Sequence, residues 1–519
     1  MGNLVDTSTP SLRLSSPQGI LAVFGAFIVI ISSYAIFNAV YNAYFHPLSH
    51  IPGPKLAAAS RIPYVRYSLN GRLVCWIKQM HDQYGDVVRL SPTEVSFISG
   101  DRTWPEVYGF RTGKHRTLPY LKDRSWFAIP LNGAYSIIAA DESSHSRMRR
   151  NLSHAFSDKA LKEQEALIQG YVDLLVHRLH EQIEEAPKGP VDIVKWYNYT
   201  TFDIIADLAF GESLHCLRDQ DYHPWVLLVF QTVKATSISA TIRKYPILEN
   251  MSKSLVPKDA IAKRREFFQL STSKVTQRLE KETARPDFMT YIMRNQDSHE
   301  KRMTRAEIDS NANLFLIAGS ETTATVLSGT TYLLLKNPEA MKKLVQEIRG
   351  RFKSASEITI DEVNKLEYLI AVLSEGLRYY PPVPTGFPRV VPQGGDNLSG
   401  HYVPEGTAVY VSQHAAYHSA RNFAEPDSFI PERWLGDERF ADDKRAGFQP
   451  FSFGPRNCLG KNLAYAELRL IIVKVIWNFD IELVDKTSDW LDQKVFTLWE
   501  KTPLMVRLKP VQRIEHTPA

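Results

Sequence analysis

Cysteine is scarce in this chain: three in 519 residues, Cys75, Cys216 and Cys458, far apart and with no CxxC pair. That makes a disulfide framework or a zinc ribbon improbable, favours a reducing compartment, and leaves open a single catalytic or metal-ligating thiol. Charge of one sign is lacking too. Lys and Arg number 62 against 57 Asp and Glu, a net charge of +5, too little at this length to imply nucleic acid. After residue 55 there is no low-complexity linker, repeat of fixed period or long charge run. Length alone allows about three domains, and the missing linkers argue for one large one. Ordinary usage, 44% hydrophobic and 23% charged, excludes collagen-like and wholly disordered classes.

Acidic and basic residues are absent altogether from the 32 residues Leu14–Phe45. The centre, Gly19–Val40, is apolar, and about 20 such residues cross a bilayer as a helix. The alternative is a cleaved signal peptide, whose apolar core is shorter and precedes a small-residue cleavage site. Here Tyr41, Tyr44 and Phe45 follow instead, as at a membrane interface. Residues 1–45 are therefore expected to be a membrane anchor spanning about 19–40. Arg13 and Asp6 cancel before the span, whereas Lys55, Arg61, Arg66 and Arg72 follow it with no intervening acid, which puts the body in the cytosol. N-x-S/T sequons at Asn151, Asn198 and Asn250 would then go unused. Ile51-Pro52-Gly53-Pro54 cannot continue a helix and reads as a stiff elbow.

Helical patterns dominate the body. Thr304-x-x-Glu307 reads as a capping box opening a long helix to Lys336, and Pro338 starts the next one. Thr359-x-x-Glu362 predicts a second box and a helix to about Arg378, stopped by Tyr379-Tyr380-Pro381-Pro382. Between Phe387 and Gln413 the residues turn to Val, Tyr, Thr and Gly, as in short strands. Ala464–Phe479 is apolar nearly all round, as a buried helix is.

The sharpest local signal is FSFGPRNCLG at 451–460. It puts Cys458 on a tight loop with a helix starting just after it, where free amides and the helix dipole stabilise a thiolate. Gly454 permits a sharp turn, Gly460 permits close approach of a flat ligand, and Arg456 can pair with a ligand carboxylate. An iron-porphyrin needs such a set; a structural cysteine in a loop needs less. A phosphate loop does not fit, because five residues rather than four separate Gly454 from Gly460 and Asn462 stands where Ser or Thr should be. In the long helix, AGSETT at 318–323 puts polar residues inside an apolar run, where they must be hydrogen-bonded or functional. Gly319 removes a side chain where another group approaches the backbone, and Thr322 can bend the helix by bonding backward.

FxxGxRxCxG is the haem-binding signature of the cytochromes P450, and this chain matches every fixed position through Phe451, Gly454, Arg456, Cys458 and Gly460. The resemblance extends to Ala318–Thr323, similar to the family's oxygen-activation motif, to Glu375-x-x-Arg378, and to Pro431-Glu432-Arg433. The closest likeness is to microsomal P450s of filamentous-fungal secondary metabolism, the group containing isotrichodermin hydroxylase. It implies the P450 fold, mainly α with small β-sheets, at 46–519 after the transmembrane helix. It implies non-covalent haem b with Cys458 as axial iron ligand. Glu321 and Thr322 would be the acid–alcohol pair that relays protons, and Glu375, Arg378 and Arg433 a structural network behind the haem. His145 and Arg149 fill the place of the family's W-x-x-x-R helix, with histidine replacing tryptophan, and would meet one propionate. Arg389 would meet the other.

The activity so implied is monooxygenation of a hydrophobic polyketide, terpenoid or related metabolite with O2 and NADPH, with oxidative rearrangement, ring expansion or desaturation as the alternative and a non-catalytic haem protein as a third. No flavin-binding stretch follows the haem motif, so electrons would come from a separate NADPH–cytochrome P450 reductase, with cytochrome b5 as an optional second partner, at the endoplasmic reticulum membrane. Pocket walls are expected from Lys114–Pro130, Trp225–Thr241, Phe315–Ala318, Thr385–Phe387 and Phe496–Leu498, all containing aromatics and the last three free of Lys and Arg. Cys75, Cys216, His414 and His418 are expected to be structural.

Overall fold

The uncharged N-terminal stretch forms one helix, α1 (Pro17–Val40), opened by Ser16, whose hydroxyl accepts the Gly19 amide at 3.0 Å. It belongs to a computed structural model that describes residues 16–110, 118–127, 130–245, 249, 258–281, 285–296 and 302–512. The Asn250 sequon and parts of the Lys114–Pro130 wall lie outside the described residues. Apolar side chains of α1 are exposed throughout. Among the described residues, the other helix apolar and long enough to cross a bilayer, Pro224–Arg243, has Trp225, Val226 and Val229 in the core.

The end of α1 is not free. A wider turn at Tyr41–Phe45 leads into α2 (Lys55–Ala59), and Ala43, Leu48 and Ile51 are buried. The buried Arg89 guanidinium donates to the carbonyls of Asn42 and Pro92, each at 2.8 Å, and the Asn42 amide reaches Ala59 O at 3.4 Å. Packing thus begins at about Asn42 rather than after the proline elbow. A protein starting at Val40 is expected to keep its unfolding temperature. Deleting 1–45 takes an acceptor from a buried cation and should cost about 1–3 kcal/mol; equal midpoints for the two truncations would refute this.

Next come α3 (Ile62–Leu69) and α4 (Leu73–Tyr84), beside a five-stranded sheet. Its strands β1 (Val87–Ser91), β2 (Glu94–Phe97) and β3 (Leu121–Lys122) are joined by two later ones, β5 (Arg389–Val390) and β8 (Ala408–Val411), in the order β1-β2-β8-β5-β3. The helical core follows: α5 (Glu142–Leu152), capped by Asp141, then α6 (Asp158–Glu185), strand β4 (Val191–Asp192) and α7 (Ile193–Phe210), in which every residue but Lys195 is buried. After α8 (Pro224–Arg243) and α9 (Lys258–Glu280), the central helix α10 (Arg305–Lys336) crosses α7. A side chain at Gly319 would meet Ile205 at 2.6 Å, so the group that approaches this glycine is the neighbouring helix. The Thr304–Glu307 capping box is complete.

Pro338 opens α11 (Pro338–Arg351). The second predicted helix is broken in two, α12 (Ile360–Val363) and α13 (Glu367–Tyr379). Thr359 does accept the Glu362 amide at 3.3 Å, but the Glu362 carboxylate pairs with Arg351 and Lys365 instead of closing the box. Strands β5 (Arg389–Val390), β6 (Asp396–Leu398), β7 (His401–Val403) and β8 (Ala408–Val411) occupy the predicted β region. The cysteine loop leads into the buried α14 (Lys461–Asn478). β9 (Phe479–Leu483), β10 (Val495–Phe496), β11 (Leu498–Trp499) and β12 (Met505–Pro510) complete the small sheets.

Candidate functional site

The chain reverses before Cys458 because Gly454 adopts φ +73°, where a Cβ would lie 2.0 Å from Tyr108 O. The Cys458 amide donates to Phe451 O at 2.8 Å, and Phe451 packs on Tyr465 with ring centroids 5.0 Å apart. The protein packed around the Cys458 thiol raises it above its ordinary range, although the residue is solvent-exposed, against the Gly460 amide and the charges of Arg149 and Lys461, which pull it down. Arg149, on α5, grips the preceding residue, donating to Asn457 O at 2.5 Å and to its side-chain oxygen at 2.6 Å. Arg456 donates to Ala140 O at 2.9 Å and pairs with Glu142 at 3.0 Å. The Cβ direction of Gly460 is bounded only by Phe156, at 3.8 Å.

Several cations meet beside this loop. Arg389 on β5 is buried, and its Nε has no hydrogen-bond partner. Lys122 is its direct cross-strand partner on β3, an arrangement of like charges that is unfavourable by itself. Burial, then Arg389, Arg456 and Arg124, push the Lys122 ammonium well below the usual lysine range. Burial lowers Arg389 to about 10. His145 is depressed to about 3, by burial and then by Arg456, Arg149, Lys122 and Arg389, so it is neutral at physiological pH. Glu142 is the carboxylate that the described residues set against this cluster. A dianionic ligand edge would neutralise it. Lys122 went unnoticed in the sequence because only the strand pairing brings it to Arg389.

Glu375, Arg378 and Arg433 do come together, fully buried. Arg378 holds both Glu375 oxygens at 2.8 Å, and Arg433 reaches the same carboxylate at 3.2 Å. Burial would raise the Glu375 carboxyl, but the bonds from Arg378 and the charges of both arginines outweigh it and hold it below the ordinary range. Asp443, missed in the sequence, takes Arg433 at 2.6 Å and balances the second arginine. The network reaches the cysteine loop through Tyr417, whose carbonyl accepts from Arg378 and whose hydroxyl accepts the Gln449 amide at 3.0 Å.

On α10 the Thr322 hydroxyl bonds back to Ala318 O at 2.6 Å, and the hydroxyls of Ser320, Thr325 and Ser328 likewise bond back to carbonyls one turn earlier. Glu321 is ion-paired to Lys501 at 2.8 Å rather than placed against Thr322. Behind α10, Glu467 of α14 is buried, and burial raises its carboxyl to about 8, with the Thr323 hydroxyl opposing. Its ordinary value in the unfolded chain is 4.5. The folded protein therefore keeps a proton that the unfolded chain releases, and stability is lost as pH rises from about 4.5 to about 8. Glu467→Gln should outlast the wild type at pH 8, by at most about 4 kcal/mol, and match it near pH 4.5. Unfolding midpoints that differ equally at both pH values would refute this.

A cavity of about 40 Å³ between α3, α8 and the five-stranded sheet is lined by Trp126, Thr241, Thr385 and Thr497, from four of the five expected walls, and is far smaller than a site for a lipophilic metabolite. It is less apolar than expected: Glu94 and Lys244 form a buried ion pair in it. Phe315 and Trp225 are core residues instead, packed on Phe156 and Phe288 and on Phe210 and Phe267 respectively. Cys216 is buried, its thiol raised to about 12 by burial, and His418 bridges Asp427 and Tyr379 O. Asn151 and Asn198 are buried as well.

A mainly helical body (59% helix) with small sheets, a cysteine loop at a helix start and a buried Glu–Arg–Arg network behind it defines a cytochrome P450. The family's sequence model, Cytochrome P450, matches residues 61–506, and the chain belongs to that family. Membership implies haem iron. The chain is 56% identical to cytochrome P450 monooxygenase lcsI of Purpureocillium lilacinum, over 92% of this chain and 93% of the relative. It is 49% identical to monooxygenase traB of Penicillium crustosum, over 95% and 98%, and 44% identical to averantin hydroxylase of Dothistroma septosporum, over 95% and 92%. It is a P450 monooxygenase of the fungal secondary-metabolism type.

Proposed function

We propose that this enzyme holds haem b non-covalently, with Cys458 as the residue whose sulfur would bind its iron, and oxidises a lipophilic secondary metabolite. The overall reaction is RH + O2 + NADPH + H⁺ → ROH + NADP⁺ + H2O. The observation that carries the reading is the buried cation cluster beside the cysteine loop, with an unpartnered Arg389 Nε and like charges paired across β3 and β5. Arg389 and Lys122 would hold one haem carboxylate, and Arg456 and Arg149 the other, with neutral His145 donating between them. Phe451, Gly454 and Gly460 would shape the loop that carries Cys458. When bound, haem supplies oxygen activation, and a thiolate ligand favours O–O cleavage. Thr322 would hold a proton at its hydroxyl and Glu321 would supply protons toward it. Glu375, Arg378 and Arg433 hold the loop and touch no reactant.

A groove of about 830 Å³ between α5 and the cysteine loop is lined by Ser146, Arg149, Arg150, Phe451, Pro455 and Lys461. Its basic rim suits an acidic redox partner, which we assign as a separate NADPH–cytochrome P450 reductase, with cytochrome b5 able to use the same face. The apolar α1 supports a single-pass anchor, from about 19 to 40, in the endoplasmic reticulum membrane, with the haem domain from 46 onward in the cytosol. Averantin hydroxylase among the relatives supports hydroxylation as the reaction type. The test is reconstitution with reductase. A carbon monoxide difference spectrum of the thiolate type plus substrate-dependent product is expected, and haem binding without product would refute the catalytic reading. Thr322→Ala should keep the spectrum and lower product per NADPH about tenfold.

A further inference from the structure

Residues 321 and 322 point about 100° apart on a helix, and the structure gives each a different partner. Thr322 bonds to Ala318 O. The buried Glu321 carboxylate gives Oε2 to Lys501 Nζ at 2.8 Å, while its Oε1 has no hydrogen-bond partner. Lys501 is equally enclosed, and its ammonium also donates to Thr325 Oγ1 at 2.9 Å, one turn further along α10. This is a complete seat for a charged carboxylate with one oxygen held and one left open. The other ionisable groups that feel Glu321 are Tyr222 and Tyr380, both raised by burial first and by its charge after. Their hydroxyls are engaged elsewhere, with Asn198 and with Gln493 at 2.7 Å. Lys501 is thus the cation that Glu321 has.

Lys501 ends a short strand pair whose other contacts are as specific. β10 and β11 turn at Thr497, with φ +69°, and Val495 and Thr497 line the pocket described above. Glu500 pairs with Lys234 of α8 at 2.6 Å, and the Trp499 indole donates to Pro381 O at 2.7 Å. The segment that carries Lys501 is thus tied to α8 and to Pro381 before it reaches the acid of α10.

Resting on the relay role of Glu321 and Thr322, we propose that Lys501 is a positioning residue for proton delivery, holding the Glu321 carboxylate by Oε2 and leaving Oε1 unbonded inside the protein. Lys501→Met should lower product per NADPH about tenfold while keeping the carbon monoxide spectrum. It should also move the pH midpoint of that ratio upward by about 1–3 units, since the carboxylate loses its cation. Lys501→Arg should restore both. Independently of turnover, Glu321→Gln and Lys501→Met should be non-additive in unfolding temperature, the double variant losing less than the sum. If Lys501→Met changes stability alone and leaves the ratio and its pH profile intact while Glu321→Gln disturbs them, the proposal is overturned and the relay stands. If Glu321→Gln also leaves the ratio intact, the relay reading itself falls.

Discussion

Cys458→His is expected to abolish product formation and the thiolate absorbance signature, even in protein that retains haem. No other thiol can substitute. Cys216 sits in the core, where burial pushes its thiol to about 12, and Cys75 lies half-buried on α4, a helix without flanking glycines at the cysteine. Cys458 alone follows a turn that only glycine allows, precedes a helix start, and has Arg149 gripping the residue before it. Histidine keeps a nitrogen donor but supplies no negative sulfur, so the push toward O–O cleavage is lost. Spectra of the reduced carbon monoxide complex decide the matter. A surviving thiolate signature would move the ligand to Cys75 or Cys216 and dismantle the site.

The second large effect is structural. Glu375→Gln leaves Arg378 and Arg433 fully buried with Asp443 as the one remaining carboxylate. Breaking one partner of such a network costs about 3–5 kcal/mol, because the desolvated charges stay behind. A surface pair offers the control. Arg72 and Asp492 are 41% and 64% exposed, and Asp492→Asn should cost under about 1 kcal/mol. Denaturant unfolding of the two variants gives the comparison. Since Arg378 also holds the Tyr417 carbonyl, and the Tyr417 hydroxyl holds the Gln449 amide, the Glu375 variant should release bound haem before it unfolds. Equal costs for the two substitutions would remove the network from any role in holding the loop.

Local patterns carried the fold and much of the site. The capping box at Thr304, the uncharged run before Phe45 and the glycine-flanked cysteine each involve neighbours within a few residues, where spacing alone constrains geometry. The Thr359 pattern failed because its Glu362 had stronger partners in Arg351 and Lys365 than the amide it was expected to cap. Other residues escaped because their partners are distant in sequence. Lys501 and Glu321 are 180 positions apart, and Lys122 meets Arg389 only through the register of two short strands. Of the aromatics expected in the pocket walls, Trp126 lines the small cavity. An aromatic residue looks the same in sequence whether it lines a cavity, as Trp126 does, or fills a core, as Phe315 does.

The burial of Asn151 and Asn198 bears on how the chain is made. Glycan transfer acts on an emerging, unfolded segment, before any core exists to hide it. A chain inserted the wrong way round would receive sugars at two positions that the native interior has no room for. The bulky, hydrated groups would then stop α5 from joining the core and keep α7 from packing against α10. Misoriented molecules would thus mark themselves for disposal, so insertion polarity would be proofread by folding and the steady-state population would be enriched in correctly oriented enzyme.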